Sequence, residues 1–323
     1  MLVHHIEMGR SFETKNTRKT MENKRKVLLI YYSGTGNTKY VTDHLYQRLL
    51  EEDFEVDVYR INPLKMERLD LSKYDLIGIG YPIYGFNLPS KVHKFFNKQR
   101  FKKGQQVFVY KNSGETWREN DSSSLVLRKK IKHQKAVFTN EYHFMMPYNI
   151  HFRYDENLVK EMLTMDKKLM EILVKEIKDG IPNVKKLKFR DNLMNRLFRL
   201  TYIGGPINVS FYKVDKKKCI KCGICVKGCQ MKNISFNKKG NIKFHHRCLM
   251  CCYCTLNCPK DAIRMGLFNS WRVNKPYNFS QIEKIELKEP VINEKTTGFF
   301  KCYIKTYQYI NSRYQELFGE TKN

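Results

Sequence analysis

No run of 18 or more apolar residues occurs in the 323-residue chain, which excludes an ordinary helical membrane span. The first 26 residues are polar and basic and hold no apolar core of the kind a secretory signal needs, so a cytoplasmic location is the expectation. Acidic side chains are scarce: 32 Asp and Glu stand against 60 Lys and Arg, a formal charge of +28. That balance favours acidic partners: nucleic acid, an anionic membrane surface or an acidic redox protein. Cysteine is almost missing outside one stretch, with nine of the ten lying between Cys219 and Cys258. In a reducing compartment thiols stay available to metal, so these read as ligands rather than disulfides.

What is present, 41% hydrophobic and 13% aromatic, supplies cores for about two domains. Residues 1–25 show no periodicity and are expected to form a basic disordered arm; Met21, just before the first strand, is an alternative start. From Val27 to about Lys178 strands and helices alternate. Val27–Tyr32, Phe54–Ile61, Leu76–Tyr81, Gln106–Tyr110 and Ala136–Phe144 read as strands. Lys39–Leu50, Ser90–Asn97, Ser122–His133 and Asn157–Lys178 read as helices. The pattern predicts an α/β domain over 26–180, a doubly wound parallel sheet covered on both faces. Residues 181–212, basic and containing Gly204-Gly205-Pro206, read as a linker. A small cysteine domain follows over 213–268, then an extension over 269–323 with a final helix. Across 181–247 there are 17 Lys or Arg against two Asp and no Glu.

After the first strand, Ser33-Gly34-Thr35-Gly36-Asn37-Thr38 leads straight into a helix. A helix N-terminus binds phosphate through its free N–H groups and dipole. The hydroxyls of Ser33, Thr35 and Thr38 add donors, and the glycines let the backbone come close. A P-loop is excluded because no Gly-Lys-Ser/Thr follows, and a dinucleotide fingerprint fails because Lys39 stands where its third glycine belongs. Hydroxyls without a cationic side chain suit the phosphate of flavin mononucleotide (FMN).

Cys219-x2-Cys222-x2-Cys225-x3-Cys229 is followed by Cys248-x2-Cys251-x2-Cys254-x3-Cys258-Pro259, the same spacing twice. Three thiolates on one tight loop take three corners of a cube, while the fourth, after x3, starts a helix and reaches the other cube. Cluster 1 then uses Cys219, Cys222, Cys225 and Cys258, and cluster 2 uses Cys248, Cys251, Cys254 and Cys229. Zinc prefers C-x2-C pairs with longer spacers and fits this pattern poorly. Cys252 and Cys302 read as small apolar fillers. A full cysteine set leaves no vacancy for His245 or His246.

The first loop resembles that of the flavodoxins, and the resemblance covers about residues 26–178. It implies strand order 2-1-3-4-5 with flavin at the carboxyl ends of the strands. Tyr81-Pro82-Ile83-Tyr84-Gly85 then falls where an aromatic ring flanks the isoalloxazine. Asn112-Ser113-Gly114 falls where backbone groups meet its pyrimidine edge. Glu115 is expected to be solvent-exposed, and Trp117 to be a packing residue rather than a ring-stacker. The cysteine runs resemble the two-cluster bacterial ferredoxins, with one departure: Gln230 stands where those proteins often have a second proline. Together the halves resemble a family of two-domain ferredoxins of anaerobic bacteria with a flavodoxin-like N-terminal half. The resemblance implies FMN, two 4Fe-4S clusters and electron transfer.

Three functions follow from these features. The first is electron transfer between FMN and two clusters, coupling one- and two-electron redox partners, with lysines such as Lys216, Lys217, Lys218, Lys221 and Lys227 facing an acidic partner protein. The second is a flavin-dependent reductase of a small molecule; no acid or base stands out for it, since His44, His93, His133, His143 and His151 read as structural. The third, a nucleic-acid-binding iron–sulfur protein, rests on charge alone and lacks a recognised binding module.

Overall fold

The computed structural model describes residues 24–187 and 189–319. The arm expected over 1–25 therefore lies outside the described residues, apart from Lys24 and Arg25. Strand β1 (Lys26–Tyr31) leads into helix α1 (Asn37–Glu51), followed by β2 (Glu55–Arg60), β3 (Leu76–Pro82), α2 (Ser90–Lys98) and β4 (Gln106–Ser113). A 3-10 segment over Arg118–Ser124 then opens into α3 (Leu125–His133), β5 (Val137–Met145) and α4 (Glu156–Lys178).

These five strands pair in parallel in the order β2-β1-β3-β4-β5, the doubly wound arrangement expected. Successive side chains of a strand point to opposite faces, so β1 feeds two cores. Val27, Leu29 and Tyr31 pack with Leu45 and Leu49 of α1 and Met162 of α4. Leu28 and Ile30 pack with Phe95 and Phe96 of α2 and Ile131 of α3. Each such side chain contributes roughly 1.5–3 kcal/mol on burial, so the sheet is a rigid base. It gathers the loops after β1, β3 and β4 at one end.

Residues 181–212, expected as a linker, are largely helical. They hold α5 (Phe189–Leu197) and α6 (Thr201–Asn208), with Pro206 inside the second helix. Asn195 donates to Asn87 Oδ1 at 2.7 Å and Tyr202 Oη to the Leu88 carbonyl at 2.9 Å, which ties both helices to the sheet domain. Gly205 answers to packing rather than flexibility: a Cβ there would lie 2.5 Å from the Cys248 carbonyl oxygen.

The cysteine module consists of β6 (Tyr212–Val214), α7 (Ile224–Lys227), β7 (Ile234–Phe236), β8 (Ile242–Phe244), α8 (Tyr253–Leu256) and β9 (Ile263–Met265). β6 pairs with β9 and β7 with β8, both antiparallel. Its halves repeat one backbone path: φ is 53° at both Lys221 and Met250, and 46° and 47° at Lys232 and Asp261. The extension carries α9 (Phe279–Ile282) and α10 (Lys301–Phe318) back over the sheet domain, burying Tyr303, Tyr307 and Ile310 beside α4. Among the described residues no helix is long and apolar enough to cross a membrane.

Candidate functional site

Cys219, Cys222, Cys225 and Cys258 line one cavity, with Val214, Ile224 and Ile263 as its apolar walls. Burial pushes the Cys225 thiol up to about 11, and Cys222, Cys258 and Cys219 add repulsion. The other four also act on one another. Burial raises Cys248 to about 11 and Cys251 to about 12, with Cys229 adding repulsion at both, and it raises Cys254 well above the usual thiol range. Four thiolates cannot share such a place without a cationic centre, and iron supplies one. The backbone is prepared for the charge: Asn233 N–H donates to Cys229 Sγ at 3.3 Å, Ala262 N–H to Cys258 Sγ at 3.2 Å and Met250 N–H to Cys248 Sγ at 3.3 Å. Among the described residues no three His, Cys, Asp or Glu groups converge on a single ion position. A cubane asks for a different arrangement, in which each thiolate takes its own iron. The donor set fits two 4Fe-4S clusters.

Cys252 is buried in the small core with Val209, Ile263 and Met265, at the left-handed position (φ 62°) that Gly223 (φ 75°) fills in the first half. His245 and His246 bond Ser235 and Ser210. Cys302 donates to the Phe299 carbonyl.

At the sheet's carboxyl end, α1 begins at Asn37 with no side chain capping it, and Asn37 and Thr38 are buried. Gly36 (φ 120°) makes the turn into the helix, in the left-handed region that glycine tolerates. Ser33 Oγ accepts from Gly36 N–H at 3.1 Å and Thr35 Oγ1 accepts from Asn149 Nδ2 at 2.5 Å. Both hydroxyls act as acceptors there, which leaves their hydrogens to donate. Lys39 is engaged with Asp43. Uncapped N–H groups and donating hydroxyls fit a phosphate monoester.

The other two loops meet this one. Thr38 Oγ1 donates to Asn112 Oδ1 at 2.7 Å, and Ile83 N–H donates to the Asn112 carbonyl at 2.9 Å. The Tyr84 hydroxyl lies against Gly34, and Gly85 packs on Thr201 of α6. Pro82 ends β3 beside Asn112. Ser113 Oγ bonds the Glu115 carbonyl and His143 Nε2 at 2.7 Å. The Gly114 carbonyl takes the hydroxyls of Tyr154 and Tyr303, and the Tyr148 ring covers its Cα. Asn37 turns its amide to the Pro147 carbonyl.

Glu115, expected in solvent, is buried at 7% exposure. Tyr148 and Asn120 donate to its carboxyl, and burial raises its pKa. The reason is long-range: Tyr148 folds over the loop, and Tyr303 of α10 bonds Gly114 beside it. Trp117 packs edge-on against Phe299. His143 is held neutral, its pKa pushed well below the usual histidine value by burial.

The two modules touch at the first loop. A Cβ on Gly34 would lie 2.6 Å from Cys251 Cβ and 3.6 Å from its Sγ. Gln230 Nε2 donates to the Ser33 carbonyl at 2.6 Å. The hydroxyls of Tyr32 and Tyr84 are raised by burial and, further, by the charge of Cys251 nearby. In the sequence Gln230 stands out only as the residue in place of a proline. Thr201, Asn149 and Tyr148 carry no local signal, because the residues they meet, Gly85, Thr35 and Glu115, lie 116, 114 and 33 residues away in the chain.

Residues 28–224, more than half of the chain, match the family model described as a flavodoxin domain. Residues 211–275 match that of a 4Fe-4S dicluster domain. No curated protein matches. Similar solved structures include a flavodoxin of Streptococcus pneumonia TIGR4, 16% identical, covering 48% of this chain and 99% of its own, TM-score 0.35. Oxidised flavodoxin 1 from Bacillus cereus is 18% identical and covers 44% of this chain and 94% of its own, TM-score 0.31. Megasphaera elsdenii flavodoxin is 22% identical and covers 36% and 84%, TM-score 0.30. The chain thus belongs to the flavodoxin-domain family and carries a 4Fe-4S dicluster domain behind that domain, with FMN and two clusters as cofactors and electron transfer as its role.

Proposed function

We propose that the chain relays electrons between a flavin seated on the three loops and a protein partner that meets cluster 1, with cluster 2 between them. FMN accepts two electrons and releases them singly, whereas each cluster carries one. The chain thereby couples two-electron and one-electron partners. The observation that carries this reading is the packing of Cys251 on Gly34: the loop that holds cluster 2 rests on the loop that holds the flavin phosphate.

In this reading the hydroxyls of Ser33 and Thr35 and the backbone of Gly34, Gly36, Asn37 and Thr38 hold the phosphate; the Thr38 hydroxyl, expected as a donor to it, donates to Asn112 instead. Pro82, Ile83, Tyr84 and Gly85 flank the ring from one side, and Asn112, Ser113 and Gly114 from the other. Cys248, Cys251, Cys254 and Cys229 hold cluster 2, and Cys219, Cys222, Cys225 and Cys258 hold cluster 1. Cys222 is exposed, so cluster 1 is the end that meets a partner. Lys216, Lys217, Lys218, Lys221 and Lys227 surround it in sequence and suit an acidic docking face. The reductase reading gains nothing from the histidine beside the third loop, since His143 is half-buried, neutral and bonded to Ser113.

Oxygen-free purification should yield one FMN and about eight irons per chain. On mixing with a one-electron reductant, cluster bleaching should precede flavin reduction. In Cys254→Ala, which removes a cluster 2 ligand, the flavin phase should slow at least tenfold. Flavin reduced equally fast without cluster 2 defeats the relay. Thr35→Val should weaken FMN binding about tenfold, the loss of roughly one hydrogen bond to a charged group; unchanged affinity moves the phosphate elsewhere.

A further inference from the structure

The dicluster module and the segment leading into it, from Val209 to His246, enclose a cavity of about 390 Å³, within the range of small-molecule sites. Its lining is apolar on one side: the rings of Tyr212 and Phe244 meet edge to face at 5.3 Å and 71°, flanked by Val214 and Ile242. Its rim is cationic and hydrogen-bonding. Lys216, Lys221, His245, His246, Ser210 and Asn241 line it, and no acidic side chain does. Cys219, a cluster 1 ligand in the reading above, is part of the same wall. Tyr212 also belongs to the small core that packs Cys225, Cys248, Cys254 and Cys258, so the apolar side backs onto both cysteine sets. No residue of the flavodoxin loops lines it, and of the eight ligand cysteines only Cys219 does, although Val214, Lys221 and Ile242 also border the cluster 1 cavity.

We infer that the cavity binds a small organic dianion with a flat apolar body, of the aromatic dicarboxylate class, and that its occupancy lowers the potential of cluster 1. Two lysines with no carboxylate in the cavity set the charge of the ligand, and the Tyr212–Phe244 pair, which offers both a ring face and a ring edge, sets its preference for an aromatic body. The effect on potential follows from Coulomb's law. Reduction adds a negative charge to the cluster beside Cys219. Lys216 and Lys221 favour that charge, and a dianion between them and the cluster cancels the benefit. The second half of the inference rests on the cluster 1 assignment; the first half does not.

The probe is naphthalene-2,6-dicarboxylate, added to the anaerobic protein with both clusters and flavin in place. The expected result is saturable binding of one probe per chain, weakened at least tenfold in Lys216→Ala/Lys221→Ala. Inorganic phosphate and neutral naphthalene should each bind at least tenfold more weakly than the dicarboxylate. The variant is read only with iron and sulfide at the wild-type level; Ser210→Trp, which fills the mouth without touching the lysines, should give the same loss. Absence of saturation, equal affinity in both variants, or phosphate competing at equal strength overturns the site. Saturating probe should also lower the midpoint of cluster 1 in a paramagnetic-resonance titration, and binding without that shift overturns the control of potential. Failure of the relay would show instead in the flavin phase of the mixing experiment, which needs no probe.

Discussion

Gln230 holds the Ser33 carbonyl at 2.6 Å through its side-chain amide, joining the residue after one cluster ligand to the first residue of the phosphate loop. A proline at this position, as the two-cluster ferredoxins often have, has no side-chain donor. The glutamine therefore belongs to the contact between modules rather than to the cluster. A partly buried hydrogen bond of this kind contributes about 0.5–1.5 kcal/mol. Gln230→Ala should leave iron and sulfide content unchanged while amide exchange of the 33–38 segment rises by up to about tenfold. Unchanged exchange would mean that the contact between modules does not depend on this bond.

Gly34 governs how closely the cluster 2 loop can approach. An alanine Cβ there would sit 2.6 Å from Cys251 Cβ and 2.9 Å from the Tyr84 hydroxyl oxygen, too close for ordinary packing. Tyr84 can swing its ring tip aside, but Cys251 is fixed on a loop and must move with it. Gly34→Ala should keep both clusters and slow electron exchange between flavin and clusters several-fold, measured by flash reduction. Rates equal to wild type would show that electrons do not cross at this contact.

The sheet was legible because its strands say two things at once. Val27–Tyr31 and Leu76–Tyr81 are unbroken apolar runs, as strands buried on both faces must be, and the intervening helices repeat at 3.6 residues. The cysteine loops were legible because ligand spacing is dictated by the cube. The helices at 181–212 were not: Gly204-Gly205-Pro206 has the composition of a breaker, and only the Cys248 carbonyl, 43 residues further on, explains why Gly205 is there. Glu115 failed for the same reason. Its cover comes from Tyr148 and from α10, and no local pattern announces a partner almost 190 residues away.

The division of the cysteines into two sets can be tested one ligand at a time. Cys258 lines the cavity of Cys219, Cys222 and Cys225, while Cys229 acts on Cys248 and Cys251. Cys229→Ala should therefore damage cluster 2 and spare cluster 1, and Cys258→Ala should do the reverse. Iron content should fall toward half in each, with different paramagnetic signals surviving. The same signal surviving in both variants would end the crossed assignment.

Asp166 gives the fold a pH dependence that does not involve the clusters. It is fully buried on α4; Oδ1 accepts the Met145 N–H at 2.9 Å, and Oδ2 has no partner among the described residues. Burial raises its carboxyl well above 3.8. As pH climbs past 3.8, the unfolded chain releases this proton while the folded chain keeps it, so the folded state loses ground until its own pKa is passed. Asp166→Asn keeps an acceptor for Met145 and removes the proton. Its stability should therefore fall less steeply than wild type between about pH 5 and 8, followed by urea unfolding of the oxygen-protected protein. Glu161, also raised by burial, contributes to both curves alike and drops out of the difference. Parallel curves would mean that Asp166 is ionised in the folded protein throughout that range.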